Sequence, residues 1–288
     1  MPFDLIHTHN NNAAALTMAQ LHNLVPAAFS ETAAPETSER YGFVNTASAI
    51  DILTDHGFYP VRAVQKPSRK GHNVAFNDHM ITFAAPNAFD GDGERGELIL
   101  YNSHNARSSL KLFAGVFRFV CSNGLISGQG FEAKLRHSKL TAASFDQLVS
   151  DQAENLPAML QNIDAMKRRE ISPQAALQFA QDATALRWAN DPNDPNLGHE
   201  HQGELRGSYA TTATVLDVVN ASRYEDKGAD VWRILNRAQE TLIRGGARIN
   251  SYTARNPNGR TRTARPIASL AETVKVNRKL WDLADAVA

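Results

Sequence analysis

Hydrophobic and polar positions change their rhythm near residue 140 of the chain. Before that point apolar residues come in short runs broken by Gly, Asp and Asn; after it they recur at helical spacing. Residues 1–16 are polar, with His7, His9 and Asn10-Asn11-Asn12, and predict a loosely ordered start. Met18, Leu21 and Leu24 predict a short helix that stops before Pro26, and residues 31–40 read as a polar connector. A second helix follows Tyr41-Gly42-Phe43, with Ala49, Ile50 and Leu53 on one face and Asp55-His56-Gly57 as its glycine-terminated end. Three strands are predicted at 58–66, 77–85 and 96–103, with the Gly- and Asp-rich residues 87–95 as a hairpin loop. Together they suggest an antiparallel sheet.

Residues 110–120 are apolar on both faces, so periodicity alone does not separate a buried strand from a buried helix. Phe and Val dominate and Ser122-Asn123-Gly124 follows, which favours a strand. Residues 131–138 alternate Phe131, Ala133 and Leu135 with Glu132, Lys134 and Arg136, as one more strand would. Beyond 140, Phe145, Leu148, Leu156, Met159, Leu160, Ile163 and Met166 predict a helix through to Lys167-Arg168-Arg169, and a further helix starts at Pro173 and runs to Trp188. Residues 190–196 break the pattern, and 197–207 read as loop. Residues 211–219 and 231–242 are ordered segments, Gly245-Gly246 ends the second, and a last helix carries Leu270, Val274, Leu280, Trp281 and Leu283. The fold class expected is α+β: an antiparallel sheet with flanking helices in residues 1–140 and a helical region in 141–288, as two regions or one continuous domain.

Composition is that of a globular chain: 288 residues, 42% hydrophobic and 21% charged. No window reaches the roughly 18 apolar residues of a membrane span, and Met1-Pro2-Phe3-Asp4-Leu5 does not open a secretory signal, so a cytoplasmic location and no membrane partner are expected. The single cysteine, Cys121, leaves no intrachain disulfide and no multi-cysteine metal site, and reads as a small buried hydrophobe. The formal net charge of zero hides a segregation. Residues 1–232 hold 19 Lys and Arg against 26 Asp and Glu, whereas residues 233–281 hold 11 against 2. A patch of that kind suits phosphate backbones, or an acidic surface on this chain, on a neighbouring copy or on a partner.

The densest part of the patch is residues 244–265. Arg244, Arg248, Arg255, Arg260, Arg262 and Arg265 occur there with Ser, Thr and Tyr between them and with neither an acid nor a lysine. Guanidinium groups make bidentate phosphate contacts and stack on bases, and hydroxyls add hydrogen bonds, so the segment is either a nucleic-acid site or a solvated basic loop. Contacts from four to six arginines would give a log–log salt slope on the order of −3 to −5. Arg107, in the turn Asn102-Ser103-His104-Asn105-Ala106-Arg107, and Arg118, inside the apolar run, are secondary candidates. Burying Arg118 without a partner costs several kcal/mol, so it either joins an internal ion pair or reaches out to a polyanion. His199-Glu200-His201 with Glu204 has only a weak likeness to a metal cluster, and the Walker loop is absent; no metal, cofactor or catalytic residue is expected.

Ser38-Glu39-Arg40-Tyr41, His56-Gly57-Phe58-Tyr59-Pro60, Asn102-Ser103-His104 and Phe117-Arg118-Phe119-Val120-Cys121-Ser122-Asn123-Gly124-Leu125 occur in this order, followed by Tyr224-Glu225-Asp226, Gly228, Trp232, Gly245-Gly246 and Asn277-Arg278-Lys279-Leu280-Trp281. This succession resembles the phage/plasmid-like family known as domain of unknown function 932, which includes prophage-borne YfjQ/YafZ-like proteins. The resemblance spans nearly the whole chain and implies a gene of plasmids, phages and integrated elements, kept near anti-restriction and DNA-repair genes. Asn105-Ala106 stands where the family carries Asp-Gly, which removes an acid that could have bound metal. The helix–strand–strand–strand order of residues 43–103 is also similar to the core of single-strand annealing proteins, a likeness that implies rings or filaments holding DNA in a basic groove without nucleotide hydrolysis.

Three functions are therefore weighed. The first is a mobile-element DNA-binding protein acting in recombination or plasmid maintenance, on single strands in preference to duplex and as a homo-oligomer. The second is a protein-interaction module that counters a host defence or restriction enzyme. The third is a metal-dependent nuclease.

Overall fold

The computed structural model describes residues 15–38, 41–67, 73–89, 94–106, 108–118, 124–126, 132–135, 141–188, 199–201, 204–253 and 256–287. They fall into two compact units that divide within one long helix, between Gln161 and Asn162. The first unit contains α1 (Met18–Leu24), α2 (Thr46–Asp55), β1 (Tyr59–Gln65), β2 (His79–Phe89), β3 (Glu94–Asn102), β4 (Leu110–Arg118), β5 (Gly124–Ile126), β6 (Glu132–Leu135) and the start of α3 (Ala142–Arg168). Its strands form a six-stranded antiparallel sheet in the order β1-β2-β3-β4-β5, with β6 also pairing with β4.

Local chemistry accounts for the helix ends. Thr17 and Gln20 form a reciprocal capping box at α1, and the Asn45 side chain accepts from Ala47 N at α2. At the other end of α2, Gly57 takes φ +81° and donates to Thr54 O, while Phe58 donates to Leu53 O. This is the glycine-terminated end expected there, in Schellman geometry. The run at 110–120 contains a strand, as expected: Leu112 lies opposite Leu100 and Ala114 opposite Leu98. The loop expected at 87–95 is shorter than its Gly and Asp content suggests, because β2 runs to Phe89 and Arg95 pairs with it from β3.

The second unit holds the end of α3, α4 (Pro173–Ala185), β7 (His199–His201), β8 (Glu204–Ala210), α5 (Thr212–Val219), α6 (Val231–Gln239), β9 (Arg248–Thr253), β10 (Asn256–Thr263) and α7 (Leu270–Val287). Its helices bury Phe179, Ile234, Leu235, Leu242 and Leu280, and Trp232 meets Trp281 edge-on with ring centroids 6.4 Å apart. Beyond this helical region the unit has its own antiparallel sheet, in the order β10-β9-β8-β7. The loop expected at 197–207 is therefore strand over His199–His201 and from Glu204 onward. Polar strands of this kind lack the apolar alternation that marks a half-buried strand, and their Gly, Pro and Asn content imitates a loop.

Candidate nucleic-acid interface

The arginine-rich segment is built as a hairpin rather than a loop. α6 ends in a π-helical turn at Glu240–Arg244, and Gly245 and Gly246 then take φ values of +80° and +92°. A Cβ on Gly245 would lie 2.7 Å from Ala264 O and from the Arg265 and Pro266 backbone, so only glycine allows the two chain segments to come so close. Gly246 N donates to Ala264 O and Ala264 N to Ala247 O, which closes the base of the hairpin. Just past the end of α4, Arg187 donates to the carbonyls of Leu242 and Arg265, and burial pushes its pKa below the ordinary guanidinium value. Its role here is to clamp the backbone at both ends of the hairpin.

The structure separates the predicted arginines. Arg244 is half-buried and bonded at 3.5 Å to Glu240, which also accepts from Arg223 at 3.2 Å; it belongs to an ionic network of the fold. Arg248, Arg260, Arg262 and Arg265 are exposed, and among the described residues none of the four has a carboxylate within ion-pair distance. Arg260 and Arg262 lie on one face of the edge strand β10. Register places Arg260 opposite Ser251, itself opposite Ser208, and Arg262 opposite Ile249, itself opposite Ala210. Arg262 donates to Ser208 Oγ at 3.3 Å. Arg248 pairs with Thr263 and so lies on the other face, with Tyr209, Asn250 and Thr261, where Asn250 donates to Tyr209 Oη at 2.7 Å and accepts from Thr261 at 2.9 Å. The six arginines of the sequence are thus not one patch. Arg255 and Arg107 lie outside the described residues, as does the Arg118 side chain; the Arg118 backbone ends β4 opposite Glu94.

Two buried polar clusters in the first unit escaped the sequence reading. In one, Glu97 is fully buried and accepts from Arg95, itself 2% exposed, at 2.7 Å and from Arg62 of β1. The internal ion pair suspected at Arg118 has a counterpart here, at an arginine assigned to a loop. In the other, Thr46, His79, Asn102, Ser103 and His104 are all fully buried. His79 Nδ1–H donates to Asn77 O at 2.9 Å, so its Nε2 accepts the Thr46 hydroxyl proton at 2.9 Å. That leaves Thr46 Oγ1 to accept from Asn102 Nδ2 at 3.0 Å and from His104 Nε2 at 3.3 Å. Burial lowers the His79 pKa to about 4, against the Asn77 carbonyl and Asp78, which raise it.

This cluster ties the start of β2, the end of β3 and the first turn of α2 into one node. Tyr41 adds a bond from its hydroxyl to Ser103 O at 3.0 Å. The clue in the sequence was the period of two: His79, Ile81 and Phe83 share one face of β2, as Leu98, Leu100 and Asn102 share one face of β3. Among the described residues no group of three or more His, Cys, Asp or Glu is placed to hold a metal ion, and no helix is long and apolar enough to cross a membrane.

The fold and its basic hairpin define an α+β protein with two antiparallel sheets, one of which carries exposed arginines on its edge strand. The chain belongs to the family described as domain of unknown function (DUF932), whose model matches residues 36–281. Among curated proteins it is similar to the UPF0380 protein YafZ of Escherichia coli (strain K12), 30% identical over 279 residues that cover 94% of this chain and 91% of YafZ. It is also similar to the UPF0380 protein YfjQ of the same organism, 29% identical over 273 residues with the same coverage. No solved structure is significantly similar to the chain.

Proposed function

We propose that this protein binds DNA, single strands in preference to duplex, as part of the recombination or maintenance machinery of a phage or plasmid, and that it does so in the cytoplasm as a homo-oligomer without nucleotide hydrolysis. One observation carries the reading: Arg248, Arg260 and Arg262 on the hairpin and Arg265 just past it are exposed, with no carboxylate partner among the described residues. Four exposed guanidinium groups without carboxylate partners among the described residues bring the fold no ion-pair gain, whereas a polyanion pairs with them and releases counterions. Serine and threonine hydroxyls between them supply the neutral donors that phosphate oxygens also accept from.

Fluorescence-anisotropy titration of a labelled single-stranded oligonucleotide, with duplex competitor and at two salt concentrations, tests the reading. The expected result is binding that weakens steeply with salt and is displaced poorly by duplex. Absence of binding at low salt overturns it and favours a protein-interaction module whose basic hairpin meets an acidic protein surface.

A further inference from the structure

The two faces of the hairpin differ in a way that the DNA-binding reading does not require. Resting on that reading, we infer that the phosphodiester backbone runs along the β10 edge on the face of Arg260 and Arg262, with Ser208 as an auxiliary donor, and that Arg248 on the opposite face takes no part. Arg260 and Arg262 are two residues apart on one strand, which separates their Cα atoms by roughly 6.6 Å. That is about the reach of one nucleotide along an extended backbone, so the two guanidinium groups meet successive phosphates.

β10 ends the sheet order, so among the described strands nothing pairs with its outer side, and long side chains on it reach solvent past the sheet. Behind Arg260 stand two serine hydroxyls, while buried Ile249 and Ala210 stand behind Arg262. Ser251 is opposite Arg260, Ser208 is opposite Ser251, and Ser208 Oγ already holds Arg262 at 3.3 Å, which orients that guanidinium before any ligand arrives. On the other face Tyr209, Asn250 and Thr261 are linked to one another, Asn250 donating to Tyr209 Oη and Thr261 donating to Asn250 Oδ1. Arg248 pairs in register with Thr263, and its carbonyl accepts from the hydroxyls of Thr211 and Thr214. The recognition is of backbone, not of bases, and so is independent of sequence.

The test is anisotropy titration of the full chain over a salt series, with an oligo-dT single strand and a mixed-sequence duplex as separate probes. The variants are R260Q/R262Q, R248Q and S208A, each checked for an unchanged melting temperature. On the single strand R260Q/R262Q should flatten the log–log salt slope by about 1.4, the equivalent of two phosphate contacts. R248Q should leave the slope unchanged, and S208A should weaken binding several-fold with the slope retained. If R248Q flattens the slope as much as the double variant, or if R260Q/R262Q leaves it unchanged, the assignment to this face is overturned while the DNA-binding reading stands. If the unaltered chain binds neither probe, both fall. A slope change confined to the duplex moves the contact from single strands to duplex backbone and overturns the preference for single strands alone.

Discussion

Both sheets of the molecule carry arginines, and they treat them in opposite ways. In the first unit Arg95 and Arg62 converge on Glu97, and the bonded set is closed around a carboxylate with no exposed surface. In the second, Arg260 and Arg262 stand exposed on the last strand of the sheet order, and Arg262 donates to a serine hydroxyl. A buried guanidinium has no solvent to fall back on, so it requires a partner in the fold and its removal is felt as stability. An exposed one loses little on folding and is left free to meet something else. The contrast separates arginines that hold the chain together from arginines available for function, a distinction that residue identity alone does not make.

The largest test of this contrast is Glu97→Gln. It leaves Arg95 buried without its carboxylate and should cost about 3–5 kcal/mol of unfolding free energy, read from urea denaturation. An unfolding curve that overlays the parent would mean that the charges of the first sheet are as dispensable as those of the second. Next comes acid. His79 titrates near pH 4 in the folded chain and near 6.5 in the unfolded one, so on acidification the unfolded chain takes up the proton first. The stability this provides is complete above about pH 6.5 and is lost as pH falls toward 4, at up to about 1.4 kcal/mol per unit and about 3 kcal/mol in total. Urea midpoints at pH 7 and pH 5 should differ accordingly, and His79→Gln should shrink the difference; an equal pH dependence in the variant would remove His79 from the account.

Two backbone positions sharpen the same comparison. Gly245→Ala places a methyl group 2.7 Å from the Ala264–Pro266 backbone at φ +80°, and should lower stability by about 1–3 kcal/mol while opening the base of the hairpin. Amide exchange at Gly246 and Ala264 would report that opening, and protection equal to the parent would contradict it. Ala106, in the turn that follows the buried node, has φ +58°, a left-handed conformation in which a Cβ is strained. Ala106→Gly should therefore raise stability by about 1 kcal/mol, seen as a higher urea midpoint, and a lower midpoint would mean that the turn gains more from the methyl group than it loses.

Much of the first unit was legible because its strands obey simple patterns. Leu98, Leu100, Ile81 and Phe83 alternate, Gly57 ends a helix as glycines do, and the β4 run admits few alternatives. What failed there failed for one reason. Arg95, Glu97, His79 and Asn102 are polar residues in apolar positions; Arg95 and Glu97 stand only two residues apart on β3, but Arg62 is 35 residues from Glu97 and Thr46 is 33 from His79 and 56 from Asn102, so no local window shows that these positions are buried and bonded together. The sheet of the second unit was missed because its strands are polar on their exposed faces and rich in the residues that usually end strands. The basic segment was visible as composition, but its division into two faces depends on pairing register, which composition does not encode.

The smallest effect is the one that closes the comparison. Arg260→Gln with Arg262→Gln removes two positive charges from exposed positions with no carboxylate partner among the described residues, and the bond lost by Arg262 is a 3.3 Å contact to a serine. Unfolding free energy should stay within about 0.5 kcal/mol of the parent. Any small change should be stabilising at low salt, because mutual repulsion along the strand is relieved, and should fade as salt is added. A loss of 2 kcal/mol or more would show that these side chains hold the sheet edge as Glu97 holds the first sheet, and the separation between structural and available arginines would fail at the point where it matters for function.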